Sequence, residues 1–425
     1  MASTPTQGLS PRTGILGRLA GHFAGGPWLH QAFRRLAFAR AISSFGSWMQ
    51  NVAAGFLLYA LSGSAMLVGL LAAVALGPSI VLAPLGGALA DRFCPRKLLI
   101  AFSYLEVIGP ALMAVAAATG HLSVAVIFAG VLLNQVFGSM ANPVFAIVSQ
   151  HSVPADMRHA AVADLSVVYQ LTVFAGAILG GTVVAVIGPA WAFGANAASY
   201  LVVGTIILMS PVLQAACDAA RASGDGFILA GMREGLRIPL VRGVLLGAAT
   251  FFVLVGPIQS LMPKVAAEHG ENAMYLGLLL TGIAVGALIA NPIVRKRVAD
   301  GPSAWRAIAV ALIICGPATV LFGFSSLLWT DLLLLAVIGF TWETLFVSGS
   351  AAMQLDVPMH IKGRMVGVFY VAVTGCTAAG ALLMGWMFTD LGVDHALWLL
   401  GGVTFLVSLG LYAHWHRSMR PSGTS

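Results

Sequence analysis

Charge is the first thing this chain lacks. Asp, Glu, Lys and Arg together make up 9% of its 425 residues, against roughly 25% in soluble domains. A soluble protein of this length could not cover its surface with so few. Cysteine is also scarce: Cys94, Cys217, Cys315 and Cys376 are scattered with no CxxC pair, which supports neither a disulfide framework nor a zinc site. Two of them fall in loops and two inside apolar segments. The ten histidines, His151 with His159 and His414 with His416 among them, read as solvated or interfacial rather than metal-binding. No GxxxxGKS/T loop is present, so ATP does not bind by that route. HExxH, GxSxG and a strand-borne GxGxxG are missing too, and no catalytic pair stands near a membrane boundary. No cofactor, no metal and no enzyme chemistry is therefore expected.

What the chain has is hydrophobicity, at 59% of residues and a mean hydropathy of +0.93. A spanning helix needs about 20 largely apolar residues. By that rule twelve are expected, over 35–61, 65–90, 98–118, 122–149, 160–187, 190–211, 241–264, 272–294, 304–325, 328–354, 363–388 and 394–415. The connections are short except for 212–240. That organisation predicts a tail over 1–31, a six-helix bundle over 32–211, a linker over 212–240, a second bundle over 241–417 and a tail over 418–425. Sorted by side, 21 of the 22 Lys and Arg fall on the side of the two tails and the linker, and only Lys264 falls opposite. Positive residues stay inside, so both termini and the linker are expected in the cytoplasm. The net charge of +7 then reflects topology and contact with anionic lipid heads, not nucleic acid. Residues 1–31 show no cleavable signal peptide. Ile15, Leu16, Leu19 and Phe23 could form a short surface helix, though a disordered tail is the simpler expectation. Trp191, Trp305, Trp329 and Trp415 stand at segment ends, where interfacial aromatics belong.

The chain also repeats itself. Ala65-Met66-Leu67-Val68-Gly69-Leu70-Leu71 returns as Ala273-Met274-Tyr275-Leu276-Gly277-Leu278-Leu279, 208 positions later. Gln150-His151-Ser152-Val153-Pro154 returns as Gln354-Leu355-Asp356-Val357-Pro358, at an offset of 204. Ala175-Gly176-Ala177-Ile178-Leu179-Gly180-Gly181 returns as Ala379-Gly380-Ala381-Leu382-Leu383-Met384-Gly385, again at 204. Two copies of one unit in so apolar a chain suggest a transporter whose site lies between them.

Between the second and third segments, Gly87-Ala88-Leu89-Ala90-Asp91-Arg92-Phe93-Cys94-Pro95-Arg96-Lys97 resembles the G-x-L-A-D-R loop signature of the major facilitator superfamily. Ser44 to Gln50 and Gly188 to Phe193 resemble its branch of bacterial drug and siderophore exporters related to the enterobactin exporter. The resemblance covers residues 32 to 415 or so. It implies an all-α membrane protein of two pseudo-symmetric six-helix bundles, in which helices 1, 4, 7 and 10 line a central cavity. It also implies that Gly87, Asp91, Arg92, Arg96 and Lys97 form a cytoplasmic latch steadying an outward-facing state. Asp91 would accept from a neighbouring helix N-terminus, and small residues before it would let helices approach. Cys94 and Pro95 depart from the usual pattern, and Arg295-Lys296-Arg297 in the second half lacks the acid. Gly176 to Gly181 matches the antiporter G-P-x-x-G-G motif with Ala177 in place of proline.

Ionisable groups at bilayer depth cost about 2.5–3.5 kcal/mol and are functional candidates. Glu343, beside Trp342 in the middle of the tenth segment, is the first candidate for exchanging a proton against a cationic group. Gln135, Ser139 and Asn142 share one side of the fourth segment, with Ser139 at the counterpart position of Glu343. Ser43, Ser47, Gln50 and Asn51 form a stripe on the first, above Arg40. Gln259 and Ser260 on the seventh complete the ring. Glu106, about a turn and a half inside the peripheral third segment, reads as structural or part of the latch network, and Asp164, beginning the fifth, as a helix N-terminal carboxylate favoured by the dipole. The reading that follows is a monomeric transporter in a bacterial inner membrane. It exports an amphipathic, drug-like or siderophore-like molecule against protons, with membrane lipids as its other partners. A lipid or metal-ion transporter of the same fold, or a non-transporting receptor or assembly subunit, is the alternative.

Overall fold

A computed structural model describes residues 26–210, 237–268, 273–298, 301–355, 357 and 362–418. The stretch around Ile15 and Phe23, most of the linker 212–240, and the C-terminal tail beyond Ser418 lie outside the described residues.

Among the described residues twelve long helical segments run in sequence: α1 (Gln31–Ser62), α2 (Ala65–Arg92), α3 (Pro95–Leu105 continued by Ile108–Ala118), α4 (Val124–Gln150), α5 (Arg158–Val186) and α6 (Pro189–Leu208), then α7 (Pro239–Leu254 continued by Ile258–Glu268), α8 (Ala273–Arg297), α9 (Gly301–Phe322), α10 (Leu328–Leu355), α11 (Lys362–Asp390) and α12 (Val393–Ser418). Every end falls within four residues of the sequence expectation. Among the described residues eleven of these segments are long and apolar enough to cross a membrane. The remaining one is α1, whose middle is diluted by Ser43, Ser44, Ser47, Gln50 and Asn51.

Local chemistry sets the ends. Gly63 closes α1 at φ 63°, a left-handed conformation that glycine adopts without penalty, and its N–H reaches the Tyr59 carbonyl at 2.7 Å. Ser64 then caps α2 by accepting from the Leu67 amide at 3.3 Å. Pro95, Pro189 and Pro239 open α3, α6 and α7 at the first turn, where a missing N–H costs nothing. Two spans are interrupted by an inner proline. Pro110 breaks α3 after Leu105, and Pro257 breaks α7 after Leu254.

Small residues hold the bundle together, as expected where lipid removes the hydrophobic drive for helix association. A Cβ on Gly176 (α5) would press on Phe45 of α1, and one on Gly380 (α11) would press on Val253 of α7. Those are repeat-related contacts in the two halves. More telling is how the duplicated motifs meet. The Gly69 segment of α2 packs backbone to backbone on Ala381 and Gly385 of α11, and the Gly277 segment of α8 packs on Ala177 and Ile178 of α5. Gly181 of α5 in turn faces Ala273 and Gly277. Each copy of one motif thus seats on the other half's copy of its companion.

Both seams lie near the charge-poor end of the bundle, around the loops at 63–64 and 391–392. Farther along α2 and α11 the glycines make no such backbone contact. Gly375 still meets Ile80 at 3.7 Å, but positions Gly77, Gly87 and Gly367 face nothing within 4 Å. Val81 is 71% exposed there. The duplicated glycine seams join the two halves at the charge-poor end.

Two expectations need correcting. Trp305 is 1% exposed, packed in the second half near Gly247 rather than at an interface. Trp191 and Trp329 are exposed. Cys94 is disulfide-bonded, while Cys315 and Cys376 are free.

Candidate functional site

Glu343 sits fifteen residues into α10, which has 28, and is 3% exposed. Its Oε2 accepts from Gln170 Nε2 at 3.1 Å, and its Oε1 accepts from Asn291 Nδ2. Gln170 belongs to α5 of the first half and Asn291 to α8 of the second, so one carboxylate ties the two halves at mid-span. Hydrogen bonds between helices in a bilayer contribute only about 0.6–1.7 kcal/mol. That is weak enough to be exchanged for another partner within a transport cycle. Arg295, a turn beyond Asn291, is the cation acting on this carboxylate and is exposed toward the basic end.

An aromatic group flanks the acid. The Trp342 ring stacks on Phe346 at 5.5 Å and 12°, and meets Phe252 of α7 edge-on at 5.8 Å. Phe346 meets Tyr370 of α11 edge-on at 5.4 Å. Three helices therefore contribute to one aromatic wall beside one carboxylate. Such a wall suits the flat, apolar part of an amphipathic molecule, or its cation against a ring face.

The other candidates separate into distinct groups. Gln50, 2% exposed, turns into the first half, accepting from Asn196 Nδ2 at 2.8 Å and donating to Asn134 Oδ1 at 3.5 Å. Ser47 bonds the Ser43 carbonyl at 2.8 Å and the Tyr200 hydroxyl at 3.0 Å. Ser139 pairs with Ser79 of α2 at 2.9 Å. Asn142 accepts from Arg40 at 3.3 Å, and the Arg40 guanidinium lies 5.2 Å from the Tyr169 ring and 5.4 Å from Phe145. Gln135 and Gln259 are half-buried, and Asn51 is exposed. The structure brings none of these into hydrogen-bond contact with Glu343.

At the basic end Asp91, Arg92 and Lys97 are exposed, and Asp91 bonds no described residue. The glycine in close contact is Gly86, against the Met140 backbone, while Gly87 faces open space. Arg96 Nη2 donates to the Leu208 carbonyl at 2.7 Å, and Arg35 Nη1 to the Met209 carbonyl at 2.9 Å. Both cap the C-terminus of α6, where a cation offsets the dipole. Beside them opens a groove of about 620 Å³ lined by Trp28, Arg34, Arg35, Phe38, Val168 and Met209.

Spacing alone missed several residues. Gln170 and Asn291 lie on the fifth and eighth helices, outside the four expected to line the cavity. Glu106 is 11 residues beyond Pro95, or about 17 Å along the helix at roughly 1.5 Å per residue, which is mid-span rather than near the boundary. Asp164, six residues beyond Arg158 at the start of α5, is 4% exposed.

The family model described as transmembrane secretion effector matches residues 21–420. The enterobactin exporter EntS of Shigella boydii serotype 4 (strain Sb227) is 26% identical over 365 residues, covering 84% of this chain and 85% of the relative. EntS of Salmonella typhi matches to the same extent, 26% over 365 residues with 84% and 85% covered. Among solved structures, a POT family transporter in complex with a thioalcohol conjugated peptide superposes with a TM-score of 0.72 at 11% identity, covering 91% of this chain and 96% of that one. The inward open xylose transporter XylE from E. coli gives 0.66 at 14%, with 89% and 95% covered. The two structures show a shared fold, and the family model spans nearly every helix described above. The chain belongs to the transmembrane secretion effector family of major facilitator transporters, and is a multi-pass membrane transporter rather than an enzyme.

Proposed function

We propose that this protein is a proton-coupled exporter of amphipathic small molecules, working by alternating access in a bacterial inner membrane with both termini in the cytoplasm. The observation that carries the reading is Glu343. It is a carboxylate at mid-span, bonded to both halves by amide donors and flanked by the Trp342 and Phe346 rings.

Gly69, Gly181, Gly277 and Gly385 seal the charge-poor end, and in this reading the basic end is the open one. By the positive-inside rule it faces the cytoplasm and is ready to load cargo. A cationic or hydroxyl-bearing cargo displaces Gln170 from Glu343, which frees the halves to rock. A proton entering from outside then neutralises the carboxylate and releases the cargo, and passes inward as the halves return. Asp91, Arg92, Arg96 and Lys97 act as a latch in the other state, in keeping with an Asp91 that bonds no described residue here. EntS relatives, named as enterobactin exporters, make a siderophore-like cargo the first to try. Arg34 and Arg35, beside the apolar groove, suit an anionic lipid head, and the chain works as a monomer.

The test uses wild-type protein and Glu343→Gln in liposomes under an imposed pH gradient, with enterobactin and ethidium as probes. Gradient-driven flux should vanish in Glu343→Gln while its circular dichroism stays unchanged. Full flux in that variant refutes the mechanism.

A further inference from the structure

The first half carries a second mid-span acid, which the account of Glu343 does not use. Pro110 has no N–H, so the carbonyl four residues before it, that of Glu106, loses its helix partner. Asn134 Nδ2 of α4 takes its place, donating to that carbonyl at 3.1 Å. The α3 helix breaks at this point, between Leu105 and Ile108. Broken helices at mid-membrane are where transporters place ion sites, because freed backbone and side chains there can face a cavity.

The Glu106 side chain, 8% exposed, runs toward α4, where Gly138 leaves room for it. A Cβ at Gly138 would stand 2.8 Å from Glu106 Oε1 and 3.6 Å from Gln135 Oε1. Neither carboxylate oxygen hydrogen-bonds another described residue. Asn134 already serves the carbonyl and Gln50, and Asn196 serves Gln50 and Ser199, while Gln135 bonds no other described residue. Two titratable or charged side chains act on it, Arg40 from α1 and Tyr200 from α6. Arg40 is held by Asn142 and two ring faces rather than paired with the acid. From α4 it meets Asn134 and Gln135, which do not titrate. A carboxylate this buried with no hydrogen bond is too costly to leave charged.

We propose that Glu106 is a second proton-exchanging acid, so that each half of the transporter carries one. Its carboxylate takes a proton from cavity water to become the neutral acid, and returns it to water when the cavity opens again. The inference extends the proton-coupled reading of Glu343 but rests on separate geometry, and the two fail separately.

The test is infrared spectroscopy of the full chain reconstituted in lipid, with Glu343→Gln as the parent so that Glu343 contributes no band. The parent should show the C=O stretch of a protonated carboxyl that fades as pH is raised and shifts on exchange into deuterium oxide. Adding Glu106→Gln should remove that band. Gly138→Ala, which keeps the acid but presses a methyl on it, should shift the band in the same parent. Two results overturn the proposal: spectra that Glu106→Gln leaves unchanged at every pH, which mean an ionised Glu106, or a Glu106 band that neither titrates nor exchanges, which means a locked packing group. If Glu106→Gln is misfolded by circular dichroism, the titrating band and its displacement in Gly138→Ala decide alone. An unmoved band then counts against the assignment.

Discussion

Substituting Gly69 by valine should tip the protein out of the conformation described here. A Cβ at position 69 overlaps the Ala381 carbonyl oxygen and stands 3.1 Å from the Ala381 carbonyl carbon and 3.3 Å from the Gly385 Cα. All three are backbone atoms of α11, so no rotamer change relieves the overlap. The helices must separate by roughly 1 Å to restore ordinary contact at about 3.5–4.0 Å. Overpacking of this kind costs about 1–3 kcal/mol. The cost falls only on the state in which the charge-poor end is sealed, so the sealed-to-open ratio should drop about 5- to 150-fold. Nitroxide pairs read this directly. One pair at Leu61 and Leu391, 51% and 44% exposed at the charge-poor ends of opposite halves, should lengthen. A second at Phe93 and Ile293, 57% and 37% exposed near the basic end, should shorten. Gly181→Val at the repeat-related seam should do the same. Distance distributions unchanged at both pairs in a folded Gly69→Val protein would refute the idea that these glycines are the seal.

Three further outcomes are expected. Trp342→Ala removes the ring that a cargo would stack on, a contact worth about 0.5–1.5 kcal/mol. It should raise the half-saturating concentration of an aromatic cargo by about 2- to 10-fold in liposome flux, and an equal loss for a non-aromatic cargo would contradict the aromatic wall. Gln50→Leu leaves Asn134 and Asn196 without their partner, and should lower stability by about 1–3 kcal/mol in a detergent melt without moving the pH profile of transport. A shifted profile would place Gln50 on the proton path instead. Arg35→Ala with Arg96→Ala strips both caps from the C-terminus of α6. The expected loss is about 1–2 kcal/mol, and a melting temperature equal to wild type would show that water replaces them.

The fold was largely legible because membrane spans follow from length and hydropathy, properties that each segment carries by itself. The repeat was legible for the same reason, since Gly69 and Gly277 recur in one linear pattern. The candidate site was legible only in part. Glu343 stands out as an acid in an apolar run, whereas Gln170 and Asn291 are ordinary amides on helices not expected to line the cavity. Ser47, Gln50 and Ser139 form real polar stripes, but their bonds close within the first half, to Tyr200, Asn196 and Ser79. A stripe records that a helix face is polar and not which neighbour meets it. Glu106 was set too shallow because the helix begins at Pro95, a residue whose cap position shows only in the backbone.

Sequence alone determined the number of spans and the duplication, because the cost of placing polar groups in lipid is paid residue by residue. Tertiary structure decided which glycines meet, which end is sealed, and which acid joins the halves. Those depend on helix rotation and crossing, and residues more than a hundred positions apart share no local signal of their contact. The pairing of Glu343 with Gln170 is of that kind, as is the room Gly138 leaves for Glu106.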